Sequence, residues 1–346
     1  MAKYNQQKQF NFICKLDIND VTKLITTKEG STWRKLGLSV TDGISKQYLE
    51  ISSFGKGKDF KSFQKPQNEG EKVSETMVQW NNRFDADLIK SIAEFKKMTL
   101  DIDGNKQVFL HEDDYINAIH ENILNGKLLN VPLYIRGNIK FDLYDGNVNV
   151  KFIPTFISIS KAETLSFKGN ISLVFKRGMI EDDTKNQRLL INGWVNDYHK
   201  EQGAEKGKNV MMDQTLVFPY GTMTNGETLK DYLLSKLKVA DGYHAALFGV
   251  SFFKGAEKVE VELTESQKEL IEMGFMTEEE AKRDNGVRDR KRTEIRVVRP
   301  LTTEPYSKIV MKTDFTDKDF ANKEEELSVD DLFGNVAEFG SDDLPF

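Results

Sequence analysis

Between Leu133 and Ser160 the chain alternates apolar and polar residues too regularly to be a helix. Ile139, Phe141 and Leu143 alternate with Lys140 and Asp142, Asp145-Gly146 supplies a turn, and Val148, Val150 and Phe152 alternate on the return. Successive side chains of a strand point to opposite faces, so this stretch reads as a long hairpin with one face buried and one wet. It commits the chain to a β-rich body.

The segments before it share that period. Phe10 to Leu16 alternates as a first strand, with Cys14 on the same face as Phe10 and Phe12. Trp33 to Val40 and Gln47 to Ser53 follow as two strands around the turn Thr41-Asp42-Gly43, and Met77 to Phe84 is strand-like. Asp85 reads as the cap of an amphipathic helix with Leu88, Ile92, Phe95 and Met98 on one face. Asp101-Ile-Asp-Gly-Asn105 reads as a hairpin turn, because its oxygens miss calcium-loop spacing and no Glu closes it. A second helix, about Glu112 to Asn125, presents Ile116, Ile119 and Ile123 and stops at Gly126. Three strands, a helix and a closing hairpin are the order of an OB-fold, a small Greek-key barrel that binds oligonucleotides.

After Ser160 the same order returns. Ile171 to Phe175, Arg188 to Val195 and Met212 to Phe218 read as strands, a helix centres on Asp231 to Leu237, and Leu247 to Phe253 is a strand. Asp114-Tyr115-Ile116 is echoed by Asp231-Tyr232-Leu233, as tandem domains would leave it. The expectation is an all-β dominated protein with minor α content. It has two tandem OB-fold-like Greek-key barrels, 1–162 and 163–312, the second with a helical insertion at 264–292, and a disordered acidic tail over 313–346.

Two stretches carry ligand chemistry. Lys56, Lys58, Lys61 and Lys65 interleave with Phe54, Phe60 and Phe63, which suits a single strand, since lysines track phosphates while rings stack on bases at ~1–3 kcal/mol each. The same pattern fits a basic loop whose phenylalanines fold back onto the core. Arg288, Arg290, Lys291 and Arg292 fall where a barrel's fourth and fifth strands are joined, beside the ligand groove, or else form a solvated loop balanced by Glu278 to Glu280. Trp33 with Arg34 and Lys35, Trp80 with Arg83, and Trp194 with Tyr198 are the remaining aromatic and basic candidates for single-stranded DNA.

The last 23 residues, 324–346, hold eight acids and no Lys or Arg, although the formal charge of the whole chain is only −6. A body with a slight positive excess therefore precedes a segment too acidic to fold alone. It ends in Asp342-Asp343-Leu344-Pro345-Phe346, where Pro345 stiffens the tip, Phe346 offers an apolar anchor, and a carboxylate adds to the two acids. A pocket with an apolar floor and a Lys or Arg rim would hold it. This ending resembles the C-terminal tip of bacterial and phage single-stranded DNA-binding proteins. The resemblance implies a tip that recruits replication and repair partners and competes with DNA for the basic groove. It departs from that family in having two domains and almost no Gly/Pro/Gln-rich linker, which leaves tetramer formation open and admits a monomer.

Composition excludes other classes. One Cys rules out a disulfide framework or thiolate zinc cluster, and no long apolar run predicts a membrane span or signal peptide, which places the protein in the cytoplasm. His111, His120, His199 and His244 are scattered, and neither a phosphate-binding Gly loop nor a hydrolase elbow is present, so neither cofactor nor catalysis is expected. Competing readings are a recombination or annealing accessory, a β-rich structural or scaffold protein with an acidic assembly tail, and a nuclease using Asp113-Asp114 or Asp182-Asp183.

Overall fold

The computed structural model of the protein describes residues 6–66, 68, 71–144, 146–200, 207–257, 263–278, 280–281, 290–302 and 308–320. The first half contributes β1 (Lys8–Leu16), β2 (Ile25–Thr27), β3 (Arg34–Thr41), β4 (Lys46–Ser53), β5 (Phe60–Gln64), β6 (Ser74–Val78), α1 (Ala86–Ser91), β7 (Met98–Ile102), β8 (Asn105–Phe109), α2 (Glu112–Leu124), β9 (Leu133–Tyr144) and β10 (Asn147–Ile159). The second contributes β11 (Ser166–Phe175), β12 (Ile180–Asp183), β13 (Arg188–His199), β14 (Lys208–Phe218), α3 (Gly226–Leu237), β15 (His244–Glu257), α4 (Glu265–Glu272), β16 (Arg290–Leu301) and β17 (Val310–Lys312). The protein is β-dominated, as its alternation predicts.

The strand pairings close two circuits. In the first, β1 pairs β3, β3 pairs β4, β4 runs parallel to β10 at Leu49 and Phe152, β10 pairs β9, and β9 returns to β1. In the second, β11 meets β13 at Val174 and Trp194, β13 pairs β14, β14 runs parallel to β16 at Val217 and Arg296, β16 pairs β15, and β15 returns to β11. Each circuit places its helix, α2 or α3, before the fourth strand. Ile116, Ile119 and Ile123 of α2, and Leu233 and Leu237 of α3, are buried in the core at the expected 3.6-residue spacing.

The circuits are not beads on a string. β1 and β11 pair antiparallel from Lys8 opposite Ile171 to Ile13 opposite Ser166, merging both into one sheet. Inside the seam, Phe12 and Phe152 of the first circuit meet Phe167 and Phe252 of the second, with ring centroids 4.7 to 5.7 Å apart and steep interplanar angles. Edge-to-face contacts of this kind contribute ~0.5–1.5 kcal/mol each beyond their buried area. Phe10 sits opposite Gly137 on one side and Gly169 on the other. A β-carbon on Gly137 would meet the Phe10 ring at 2.8 Å, and one on Gly169 would meet Gln9 O at 2.6 Å, so glycine permits the close passage of three backbones at the seam.

Three expectations need correcting. The helix begun by Asp85 ends at Ser91, and Ile92 and Ala93 turn extended because Ala93 N–H donates to Phe63 O and Lys65 N–H to Ser91 O. The edge of β5 captures the chain there, and Met98 belongs to β7. The strand expected over Met77 to Phe84 stops at Val78, and Trp80 to Asn82 form a short 3-10 turn. The Asp114-Tyr115 echo is not spatial: Tyr115 is fully buried, whereas Tyr232 is 47% exposed. Among the described residues no helix is long and apolar enough to cross a membrane.

Candidate nucleic-acid interface

Strand alternation in the first circuit points Leu36, Leu38, Leu49 and Ile51 inward, and therefore points Lys35, Tyr48, Glu50 and Ser52 outward. Tyr48 is half exposed and lies across Gly37 of the neighbouring strand, offering the open face of its ring. Lys35 and Glu50 pair at 3.3 Å beside it.

Three clefts run into one another over this outer face. The first, about 520 Å³, lies between the circuits and is lined by Tyr48, Lys151, Phe253 and Lys254. The second, about 450 Å³, shares Glu50 and Lys151 with it and adds Phe54, Phe95, Lys96, Lys97 and Lys140. The third, about 320 Å³, shares Phe95, Lys97 and Asn138 and adds Lys106, Arg136 and Phe156. Phe54 and Phe95 are 68% and 61% exposed. Arg296 covers the Phe253 ring at 4.0 Å, and Arg136 sits 5.4 Å from the Phe156 centroid. Aromatic rings and cations thus share one path over β4, β9, β10 and β15 and the loops that carry Phe54 and Phe95.

Carboxylates hold several of these cations. Lys65 and Lys97 reach Glu94 at 2.8 and 2.9 Å, and those two hydrogen bonds pull the Glu94 carboxyl down from its ordinary 4.5 to about 2. The same contact with Glu94 raises Lys65. Lys151 is held by Asp142 at 2.7 Å, and Arg296 by Glu294 at 2.8 Å. An incoming phosphate would exchange one anion for another at these groups, without creating a naked buried charge.

The residues singled out from sequence divide into four groups. Phe54 lines the path directly, and Lys58 is exposed in the loop after it. Phe63 tilts against Phe95 at 5.7 Å and so supports the path from behind, while Lys61 pairs with Glu75 at 2.7 Å in the β5–β6 hairpin. A second group is structural. Arg34 donates to the buried Asp113 at 2.7 Å, where Lys56 also approaches at 3.6 Å, and Arg83 grips Asp114 with two bonds while stacking on Trp80 at 3.9 Å. Phe60 packs against Val78, Ile92 and Leu110. In the third group, Trp33 is half-buried ahead of β3, Tyr198 is half exposed at the end of β13, and Trp194 is covered by Tyr243 and Phe320 at 5.9 and 4.7 Å.

The fourth group is the basic run Arg288 to Arg292 and the C-terminal tip. Arg290, Lys291 and Arg292 lie on β16 opposite Glu257, Ala256 and Gly255. Arg288 and the tip Asp342 to Phe346 lie outside the described residues.

The acidic pairs are engaged as well. Asp182 accepts from Tyr220 Oη at 2.8 Å and faces Lys230, and Asp183 caps the turn at Thr184 and holds Arg188 at 2.9 Å. His111 caps the start of α2 by accepting from Asp113 N–H. Sequence reasoning did not find Tyr48, Phe95, Lys96, Lys97, Lys140, Lys151, Phe253 or Lys254. Only Tyr48 carried a local signal, an aromatic on the wet face of an alternating strand. No protein-family model matches the sequence, and no curated protein matches it.

Proposed function

We propose that this chain binds single-stranded DNA without reading its sequence, coats exposed strands during replication or recombination, and recruits partner proteins through Asp342 to Phe346. The observation that carries the reading is the continuous path of Tyr48, Phe54, Phe95 and Phe253 interleaved with Lys97, Lys140, Lys151 and Lys254. Every base has a π-face, so aromatic platforms set among cations bind strands irrespective of base order. We read the two circuits as tandem OB-fold-like barrels. In support, each has strand order 1-2-3-5-4-1, a parallel pair between the third and fifth strands, and a helix before the fourth. With both circuits in one chain, a path of useful length forms without a second subunit.

The test is fluorescence anisotropy of labelled oligo-dT at several salt concentrations. Counterion release predicts that log K falls linearly with log salt, with slope about −0.7 per phosphate contacted. Lys140→Gln should flatten that slope by about one phosphate's share, and a mixed-base strand of equal length should bind comparably. Absence of binding at low salt would overturn the reading.

A further inference from the structure

The second circuit carries a pocket that shares no lining residue with the strand-binding path. It opens between the end of β11 and the C-terminal end of α3, and holds about 620 Å³. Ile180, Leu234 and Val239 form its floor, and Lys176, Arg177 and Lys238 stand on its rim. An apolar floor under a cationic rim suits a short acidic segment that ends in large apolar side chains.

The chain itself supplies one and delivers it to the rim. Asp317 is bonded to Lys176 at 2.8 Å and to Tyr243 Oη at 2.7 Å. Phe320, the last described residue, stacks on Tyr243 at 4.1 Å with the rings nearly parallel. Residues 321–346 therefore start beside the pocket, and their 26 residues are more than long enough to turn back into it. From the structure we infer that the pocket of Lys176, Arg177 and Lys238 is the intramolecular seat of Asp342-Asp343-Leu344-Pro345-Phe346. Asp342 and Asp343 face the rim cations, while Leu344 and Phe346 fill the floor.

Tethering within one chain sets an effective concentration of about millimolar, so even a weak tip occupies a nearby seat when nothing competes. In this arrangement the tip is withheld from partners until one binds it more tightly than the pocket does, and strand binding alone does not release it.

The test uses the full chain with a spin label on Ser341→Cys. The native Cys14 is fully buried, with its thiol pushed up to about 12 by burial and then by the nearby Asp42, so the label goes to the introduced cysteine. The expected result is loss of methyl signal intensity at Ile180, Leu234 and Val239. The loss should be relieved by Arg177→Glu combined with Lys238→Glu and unchanged on adding oligo-dT. Loss at Val148, Val150 and Ile153 would place the tip in the strand-binding path and overturn the proposal, as would loss at neither set. Mixing spin-labelled with isotope-labelled chains is the last control. Intensity loss that appears only across such a mixture would assign the pocket to a second copy's tip and overturn the intramolecular seat. Apart from the oligo-dT addition, none of these outcomes depends on whether the protein binds DNA.

Discussion

The ring of Tyr48 lies against Gly37 on the neighbouring strand, so closely that a β-carbon on Gly37 would overlap the phenol oxygen. Glycine at this position is what lets the aromatic lie flat on the sheet with one face open. Tyr48→Ala should weaken oligo-dT binding by the ~1–3 kcal/mol that a stacking platform supplies, roughly 5- to 150-fold in affinity. Gly37→Ala should reproduce much of that effect with Tyr48 still present, because the added methyl displaces the far end of a side chain free to swing into water. Its urea midpoint should stay near that of the parent. If both variants bind as the parent does, Tyr48 is not a platform.

Arg34, a candidate for phosphate contact by sequence, is a strut. Its guanidinium lies 2.7 Å from Asp113, whose side chain is only 1% exposed at the start of α2. Replacing one member of a buried pair leaves the other charge stranded, at a cost of ~3–5 kcal/mol. Lys56, at 3.6 Å and half in water, offsets a little of this. Arg34→Met should therefore lower the unfolding free energy by an amount in that range in urea titrations, while oligo-dT affinity per folded molecule stays constant. A variant that kept its stability and lost DNA binding would return Arg34 to the ligand surface.

Glu94 links the path to pH. Hydrogen bonds from Lys65 and then Lys97 depress its carboxyl to about 2, so the folded state favours the ionised form. The associated stability is present above the ordinary value of 4.5 and is lost as pH falls from there through about 2. Most of the side chain is in water, so screening holds the contribution to ~1 kcal/mol or less. Acid unfolding of Glu94→Gln should lack that component between those two pH values. The same variant frees Lys65 and Lys97 from their anion, so it should bind oligo-dT more tightly at neutral pH. Weaker binding would mean that Glu94 positions the lysines and does not compete for them.

The fold was legible where period two is unbroken. β1, β3, β4, β9 and β10 fall within a few residues of their sequence reading because their inward faces are continuous apolar rows. The helix expected from Asp85 to Met98 failed because Leu88, Ile92, Phe95 and Met98 satisfy a helical period, while hydrogen bonds from β5, distant in sequence, take the chain at Ile92. That same error hid Phe95, which the helix would have buried and which stands 61% exposed on the path.

The site was less legible than the fold. Charge runs showed the lysines of 54–65 but not their partners, so Lys61 and Lys65 looked free although Glu75 and Glu94 hold them. Tyr48, Lys140, Lys151 and Phe253 come together only because the parallel β4–β10 pair and the β1–β11 seam bring distant strands side by side. No local pattern encodes that convergence.

Trp194 provides the last prediction. By sequence it is a candidate stacking residue on β13, but Phe320 and Tyr243 cover it, and the three rings form a separate apolar cluster with Val174, Ala245 and Phe315. Adding oligo-dT should therefore leave the Trp194 contribution to emission unchanged, as read from a Trp33→Phe/Trp80→Phe double variant. Phe320→Ala in that background should shift emission to the red as water reaches the indole. It should also reduce stability by ~0.5–1.5 kcal/mol for each aromatic pair it removes. Tyr243, which donates to Asp317, would lose its stacked neighbour at the same time, loosening the point from which residues 321–346 depart. If oligo-dT quenched Trp194 while Phe320→Ala left its emission in place, the cluster would be open to ligand, and the second circuit would present its aromatic surface at β13.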